Sequence, residues 1–224
     1  MRKITWLISM IGVLPVFGQD CRQFLFFQKG KTIEMTIYNK SGEINGKQVY
    51  QVLDVSSEGS TTTAGLSSEL FDKTGKSIAR SNSVVKCNAG VMMVDLKMMM
   101  PQQPHSTGTA DASIGNEFLE FPSSLHIGDQ LKDGGFTMNV NMQNIQETVT
   151  ISITDRKVTG QESVTTSAGS WSCFKIDSRN TTTVNMGGRA MPPMSTESIS
   201  WYTPGFGIIK TQTVNGSTAI TSIK

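Results

Sequence analysis

The stretch TVTISIT at Thr148–Thr154 decides the fold, because every second residue in it is apolar. Side chains along a β-strand alternate between the two faces of a sheet. One face of this stretch therefore carries Val149, Ile151 and Ile153, and the other carries hydroxyl groups. An amphipathic helix would instead need apolar residues three or four positions apart. The stretch predicts a strand with one buried and one solvated face.

The same period of two recurs along most of the chain. It is clearest in Thr32–Tyr38, where the odd-numbered residues are apolar, and in Val91–Met100, where the even-numbered apolar residues share one face. Serine and threonine are abundant between the apolar positions, as is usual for exposed strand faces. Weaker examples of the pattern are Val49–Val55, Trp171–Ile176, Ser198–Tyr202 and Ile208–Val214.

Turn residues separate these segments at short intervals. Asn45-Gly46 and Asn215-Gly216 predict two-residue hairpins, and Asp72–Lys76 predicts a looser turn. One or two helical turns are expected within Asp111–Leu119. Short connections favour antiparallel neighbours over crossover units that contain helices. The expected fold is all-β: a mostly antiparallel curved sheet or incomplete β-barrel of about ten strands.

Two long loops rich in methionine and proline interrupt the strand pattern. Met99–Ser113 and Met186–Thr196 each contain two prolines. Proline cannot donate a hydrogen bond to a strand ladder, so both segments are expected to be surface loops. The first of them divides the chain into two β-rich halves.

Residues 1–18 carry the features of a secretory signal peptide. Arg2 and Lys3 supply the positive start, Ile4–Phe17 is almost wholly apolar, and Val16 and Gly18 are the small residues before the cleavage site. The apolar stretch is too short to span a bilayer comfortably. The remaining roughly 200 residues suit one all-β domain. The expected organisation is a signal peptide at 1–18 and a single extracytoplasmic β domain at 19–224, in the periplasm or secreted.

Removal of the signal peptide would also remove the net charge. The 224 residues include 20 basic and 18 acidic side chains, and Arg2 and Lys3 account for the excess of two. A neutral mature chain with scattered basic residues does not fit a nucleic-acid-binding protein. No later stretch is apolar for long enough to cross a membrane. We therefore expect no nucleic-acid partner and no transmembrane segment.

Three cysteines, Cys21, Cys87 and Cys173, would enter an oxidising compartment. They permit one disulfide and one buried thiol, or three buried thiols, and the sequence does not choose between these. Cys21 follows the signal peptide closely, but Asp20 stands where a lipoprotein signal has a small residue. We therefore expect the exported protein not to be lipidated.

Five short phrases span most of the mature chain: Phe71–Lys76, Val85–Gly90 leading to Val94-Asp95, Phe121-Pro122 with Gly128–Leu131, Trp171–Ile176 and Trp201–Lys210. Together they resemble a group of small secreted β-proteins of Bacteroidota, described as TapB-like or as a domain of unknown function. The resemblance implies an extracytoplasmic, mostly antiparallel curved sheet or incomplete barrel. It transfers no catalytic residues, because the group has no established activity.

Methionine is the most unusual feature of the composition, with 13 residues in the chain. Thioether side chains are flexible and pack in adaptable ways, so the loop methionines are expected to form an apolar rim for a ligand. The rim candidates are Met99, Met100, Met186, Met191 and Met194. Thioethers also bind Cu(I), and a chelator-competition titration without Cu(I) uptake would exclude that alternative. Its ligands would be Met99, Met100, His105, Met191 and Met194.

Enzymatic chemistry finds little support in the sequence. His105 and His126 are far apart, and the cysteines occur in no nucleophile motif. No Cys-x-x-Cys pair marks a zinc site. The segment Asp129–Val140 lacks the carboxylate that a calcium loop needs at its last position. We expect no catalytic residue, no cofactor and no metal site.

The expected function is therefore non-enzymatic. An exported curved sheet with apolar strand faces and adaptable loops can bind an apolar or amphipathic ligand, such as a lipid or an apolar small molecule. An envelope protein is the other expected kind of partner. The alternatives are a structural or protein-interaction module and a Met-rich Cu(I)-binding protein, with an enzyme ranked last.

Overall fold

A computed structural model describes residues 21–99, 110–112, 118–142 and 145–224, and the predicted signal peptide lies outside these ranges. Within them the chain is all-β, as the sequence predicted. Ten strands have seven residues or more, and four have five or fewer. Three short 3₁₀ turns lie at Cys21–Gln23, Leu25–Phe27 and Leu96–Met99. The strands are β1 (Thr32–Asn39), β2 (Ile44–Glu58), β3 (Thr61–Asp72), β4 (Ser77–Asn88), β5 (Val91–Asp95), β6 (Ala110–Ala112), β7 (Phe118–Phe121), β8 (Gly134–Met142), β9 (Ile145–Thr166), β10 (Gly169–Met186), β11 (Arg189–Ala190), β12 (Met194–Thr203), β13 (Gly207–Thr213) and β14 (Gly216–Ile223).

The strands form one antiparallel sheet with the order β6-β8-β9-β10-β12-β13-β14-β1-β2-β3-β4-β5-β7. The short strand β11 pairs with β10 beside this path. The first and last strands of the domain are neighbours, with Ile33 of β1 opposite Ile223 of β14. The first and last strands of the described domain therefore pair in the middle of the sheet.

The sheet curls into a nearly closed barrel, and Arg156 of β9 links that side of the sheet to β7, the strand at the other end of the order, along a junction that we call the seam. Two residues of β9, Asp155 and Arg156, stand opposite Ser178 of β10, and this bulge turns Arg156 inward. Its guanidinium donates hydrogen bonds to the carbonyl of Lys132 at 2.6 Å and to that of Glu120, in β7, at 3.0 Å. Main-chain hydrogen bonds between residues 128–131 and 156–158 fill the rest of the seam.

One end of the barrel is closed by residues 21–27, which we call the N-terminal plug. Its consecutive apolar side chains Phe24, Leu25, Phe26 and Phe27 are all buried. The amide of Leu25 donates to the carbonyl of Phe206, in the turn between β12 and β13, at 3.1 Å. We call the opposite end the distal end; it carries the turns between β1 and β2, β3 and β4, β10 and β12, and β13 and β14.

A disulfide joins the N-terminal plug to the sheet. Cys21 of the plug is bonded to Cys87 of β4, across a sequence separation of 66 residues. Cys173 is a free and buried thiol. This selects the first of the two arrangements that the sequence left open, one disulfide with one buried thiol.

The hairpin predicted at Asn45-Gly46 is wrong, because both residues lie inside β2. The turn forms earlier, where Oδ1 of Asn39 accepts hydrogen bonds from the amides of Ser41 and Glu43. Gly46 instead allows β2 to approach β3 closely, because a Cβ at that position would lie 2.4 Å from the carbonyl oxygen of Phe71. A hairpin joins β13 to β14 near the predicted Asn215-Gly216, but one residue earlier: Val214 and Asn215 form the turn, and Gly216 begins β14.

Two further segments differ from the sequence prediction. The strand expected over Val91–Met100 ends at Asp95, and a 3₁₀ turn follows at Leu96–Met99. Leu96 and Met98 are nevertheless buried, so the apolar positions were predicted correctly while the backbone leaves the sheet. Where helical turns were expected in Asp111–Leu119, the described residues belong to β6 and β7.

Candidate functional site

The candidate site is a cavity of about 150 Å³ against the inner face of the barrel, which we call the inner cavity. Strands β1, β2, β5, β13 and β14 form its walls, together with the plug and the third 3₁₀ turn. Most of its lining is apolar, and a few groups can form hydrogen bonds. The lining residues are Phe26, Met35, Ile37, Gln48, Tyr50, Val94, Met98, Ile208, Thr211 and Thr218.

The alternation of β1 explains why apolar side chains reach this cavity. Met35 and Ile37 follow Ile33 at intervals of two, so all three share the inner face of the strand. Ile33 is fully buried, whereas Met35 and Ile37 border the free volume. The sequence pattern that predicted the strand thus also supplies the apolar wall.

The polar groups around the inner cavity are largely satisfied by one another. The Tyr50 hydroxyl donates to the carbonyl of Met98 at 3.4 Å, and its ring packs edge-to-face on Phe26 with centroids 5.8 Å apart. The hydroxyls of Thr211 and Thr218 are 2.6 Å apart. Because these groups already have partners, the free volume presents mainly carbon atoms to an occupant.

A second and more open pocket of about 250 Å³, which we call the mouth, adjoins the inner cavity toward the distal end. The two share Ile37, Thr211 and Thr218 in their walls. The outer part of the mouth is polar and includes the amide side chains of Asn39, Asn45, Gln212 and Asn215. The inner cavity is therefore mainly apolar, and the adjoining mouth is mainly polar.

A row of hydroxyl groups lines the interior beside the inner cavity. Ser178 of β10 and Ser198 and Ser200 of β12 are buried. They border a small space of about 20 Å³ next to Arg156. Ser200 stands opposite Thr211, so this polar row reaches the wall of the inner cavity. Nearby hydroxyls could hold the polar part of an occupant.

A larger groove of about 470 Å³ lies on the outer face of β2, β3 and β4. Its walls are mostly polar, and an ion pair at 2.7 Å joins Glu69 to Arg80 across it. Water competes well for such an open and polar surface. The inner cavity is the better candidate because its walls are apolar and partly enclosed.

Three of the five predicted rim methionines lie at the distal end and outside the walls of the inner cavity. Met186 ends β10, Met194 begins β12, and Met191 lies between them; all three are exposed. The backbone of Met99 ends the third 3₁₀ turn. Met100 and His105 lie outside the described residues. The roles of these residues as a ligand rim or as Cu(I) ligands remain predictions.

The remaining chemical candidates are separated in the fold. The Cys173 thiol is buried, and burial raises its pKa, which keeps it protonated and unreactive at neutral pH. His126 is exposed on a loop, 3.7 Å from Asp129. Across the described ranges, no three His, Cys, Asp or Glu side chains are close enough to hold a metal ion. No helix in that part of the chain has the length and apolar character needed to cross a bilayer.

Sequence reasoning missed three residues that shape the site: Phe26, Tyr50 and Arg156. The apolar run at Phe24–Phe27 was a usable signal for the plug, because it has no alternation and follows a cysteine. Tyr50 lay in a predicted strand without any mark of its inward orientation. Asp155 directly follows the alternation of Thr148–Thr154 at a position that should face inward, and a charged residue there signals a bulge, which turns the next residue, Arg156, inward instead.

Alkaline pH should reveal the burial of Tyr50 and Tyr202. Burial raises the pKa of both phenol groups. Their contribution to stability is complete below the unfolded pKa of about 10 and is lost as the pH rises above it. Above about pH 10, the free energy of unfolding of Tyr50→Phe should fall less steeply with pH than that of the wild type. The two slopes should differ by about 1.4 kcal/mol per pH unit. Urea unfolding from about pH 8 to about pH 11 measures this, and parallel pH profiles would contradict it.

Comparison with known proteins supports a family assignment and the fold. The profile of the DUF3108-like family matches residues 28–224. No curated protein sequence matches the chain. The match agrees with the domain-of-unknown-function part of the resemblance, whereas the TapB-like description remains a prediction.

Two crystal structures have the same fold at low sequence identity. One, from Bacteroides fragilis, is named a "putative exported protein with YmcC-like fold"; it is 20% identical, with a TM-score of 0.70 over 90% of this chain and 98% of that one. The other, from Parabacteroides distasonis, is named a "putative lipoprotein". It is 18% identical, with a TM-score of 0.72 over 92% of this chain and 100% of that one. These likenesses establish the barrel architecture.

Proposed function

The chain belongs to the DUF3108-like family, and we propose that it is an exported, non-enzymatic protein that binds an amphipathic ligand. The apolar part of the ligand would occupy the inner cavity, and its polar part would lie in the mouth. The observation that carries this proposal is the apolar cavity of about 150 Å³ joined to a polar mouth. Apolar cavities of this size stay dry and accept small apolar groups.

The size of the cavity limits the ligand class. It accommodates one aromatic ring or a segment of an acyl chain, and is smaller than the roughly 300–1,000 Å³ of a pocket that encloses a whole drug-sized ligand. The rest of the molecule would extend into the mouth, where amide and hydroxyl groups can bind a polar head. This division favours a lipid-like molecule over a wholly apolar or wholly polar one.

Export is supported by three observations. Residues 1–18 have the pattern of a signal peptide, and the Cys21–Cys87 disulfide suits an oxidising compartment. One structural neighbour is named as exported and the other as a lipoprotein. A lipoprotein anchor would need a free thiol on Cys21, which the disulfide with Cys87 consumes. We therefore propose release from the signal peptide without lipidation.

Filling the inner cavity should abolish binding without unfolding the barrel. We expect Ile37→Phe to weaken binding of cis-parinaric acid, a fluorescent fatty acid, at least about tenfold, because the larger ring occupies the volume. Met35→Phe, from the same wall, provides a second filling variant in case the first folds poorly. Fluorescence titration of the purified mature protein measures the dissociation constant.

The matched control is Val214→Phe, which adds the same ring at an exposed position between β13 and β14. This variant should bind the fatty acid as the wild type does. Failure of the wild type to bind the probe, or equal binding by folded filling variants and wild type, would refute the proposed site.

A further inference from the structure

The distal end carries most of the exposed large apolar side chains. Seven such side chains are exposed within the described ranges, and five of them lie on the turns or strand tips of this end. They belong to connections between strands that are neighbours in the sheet, from β10 through β12, β13, β14 and β1 to β2. We call them the apolar fringe: Ile44, Met186, Met191, Met194 and Val214.

We propose that the apolar fringe docks the distal end onto the surface of an anionic lipid bilayer. Apolar side chains at the tips of turns can enter the interfacial layer of a bilayer while the strands remain in water. Exposed apolar residues scattered singly need no explanation, but a group that follows consecutive turns along one end marks an interaction site. The fringe is spread over separate tips, and such tips can enter lipid independently of one another.

The charges on the turns of the distal end favour an anionic surface. Lys40, Lys73 and Arg189 are exposed, and none is within ion-pair distance of a carboxylate in the part of the chain that the structure describes. The two carboxylates on these turns, Glu43 and Asp72, accept hydrogen bonds from groups of their own turns. Anionic lipids attract basic side chains held next to a membrane-binding apolar group.

The mouth opens at the same end of the barrel as the apolar fringe, so docking would bring it close to the bilayer. The amide groups of Asn39, Asn45 and Asn215 line the mouth on the same turns that carry the fringe. An amphipathic ligand could pass between the bilayer and the inner cavity without crossing bulk water. This step rests on the proposed function, whereas the docking itself does not require an occupied cavity.

Vesicle co-sedimentation of the mature protein tests the docking. We expect binding to vesicles of phosphatidylcholine with phosphatidylglycerol, and at least about tenfold weaker binding to phosphatidylcholine alone. The variant Met191→Ser/Met194→Ser/Val214→Ser should bind the anionic vesicles at least about tenfold more weakly. Lys40→Gln/Arg189→Gln should weaken binding several-fold at low salt.

The matched control is Ile127→Ser, at an equally exposed isoleucine in the loop after β7, away from the distal end. It should bind vesicles as the wild type does. Ile37→Phe should also bind vesicles normally, which separates a failure of docking from a failure of ligand binding. Docking is overturned if the wild type does not sediment with anionic vesicles, or if Ile127→Ser is as weak as the triple variant. It is also overturned if the triple variant loses only self-association in ultracentrifugation.

Discussion

Replacing both Cys21 and Cys87 with alanine is expected to lower the free energy of unfolding by about 4 kcal/mol. The bond links residues 66 positions apart, and its loss returns the conformational freedom of that segment to the unfolded chain. It also releases the N-terminal plug, whose four apolar side chains close one end of the barrel. We therefore expect weaker fatty-acid binding as well, because Phe26 of the plug is part of the cavity wall.

Denaturant unfolding of the oxidised wild type and the double variant measures this effect. The matched control is Cys173→Ala, which removes a buried thiol that forms no disulfide. This substitution should lower the free energy of unfolding far less than the double substitution does, because it creates only a small packing defect. A double variant within about 1 kcal/mol of the wild type would contradict the importance of the plug.

Replacing Arg156 with alanine is expected to lower the free energy of unfolding by about 3–5 kcal/mol, because it removes the hydrogen bonds that hold the seam of the barrel. The side chain is 2% exposed and provides two hydrogen bonds to main-chain carbonyls from both sides of the seam. Its guanidinium also lies 4.8 Å from the ring centre of Phe121. Burial lowers the pKa of Arg156 to about 10, so the group stays charged at neutral pH and its hydrogen bonds keep their full strength.

A second substitution separates hydrogen bonding from volume. Arg156→Met fills much of the same space without donors, and we expect it to cost at least about 1–2 kcal/mol because two carbonyls lose their partner. Arg179→Met is the matched control on the neighbouring strand β10, where the side chain is half exposed and paired with Asp155 and Glu197. It should change stability by less than about 0.5 kcal/mol. An Arg156→Met variant as stable as the wild type would show that the seam does not depend on these hydrogen bonds.

The sequence predicted the fold class well because period-two alternation is a local property. Thr32–Tyr38 and Thr148–Thr154 lie in β1 and β9, and a hairpin joins β13 to β14 within one residue of its predicted position. The turn between β1 and β2 was misplaced because two signals competed. The carboxamide of Asn39 organises the real turn, and Gly46 is needed for the close approach to Phe71.

The site was harder to predict because it depends on contacts between residues far apart in the chain. The inner cavity combines Phe26 with Tyr50 and Ile208, and no local pattern joins these positions. The seam requires Arg156 to reach carbonyls 24 and 36 residues away. Three predicted rim methionines lie at the distal end, and their role as a rim remains a prediction. The apolar wall of the inner cavity comes instead from strand residues that looked like ordinary core.

Native mass spectrometry of the mature protein, purified from its source under gentle conditions, tests the central claim most directly. We expect a wild-type mass with one bound amphipathic molecule, and a mass without any bound molecule for Ile37→Phe purified in the same way. The Val214→Phe control should retain the molecule. A bare wild-type protein that also takes up no fatty acid when it is added would contradict the account, as would a molecule that Ile37→Phe retains equally well.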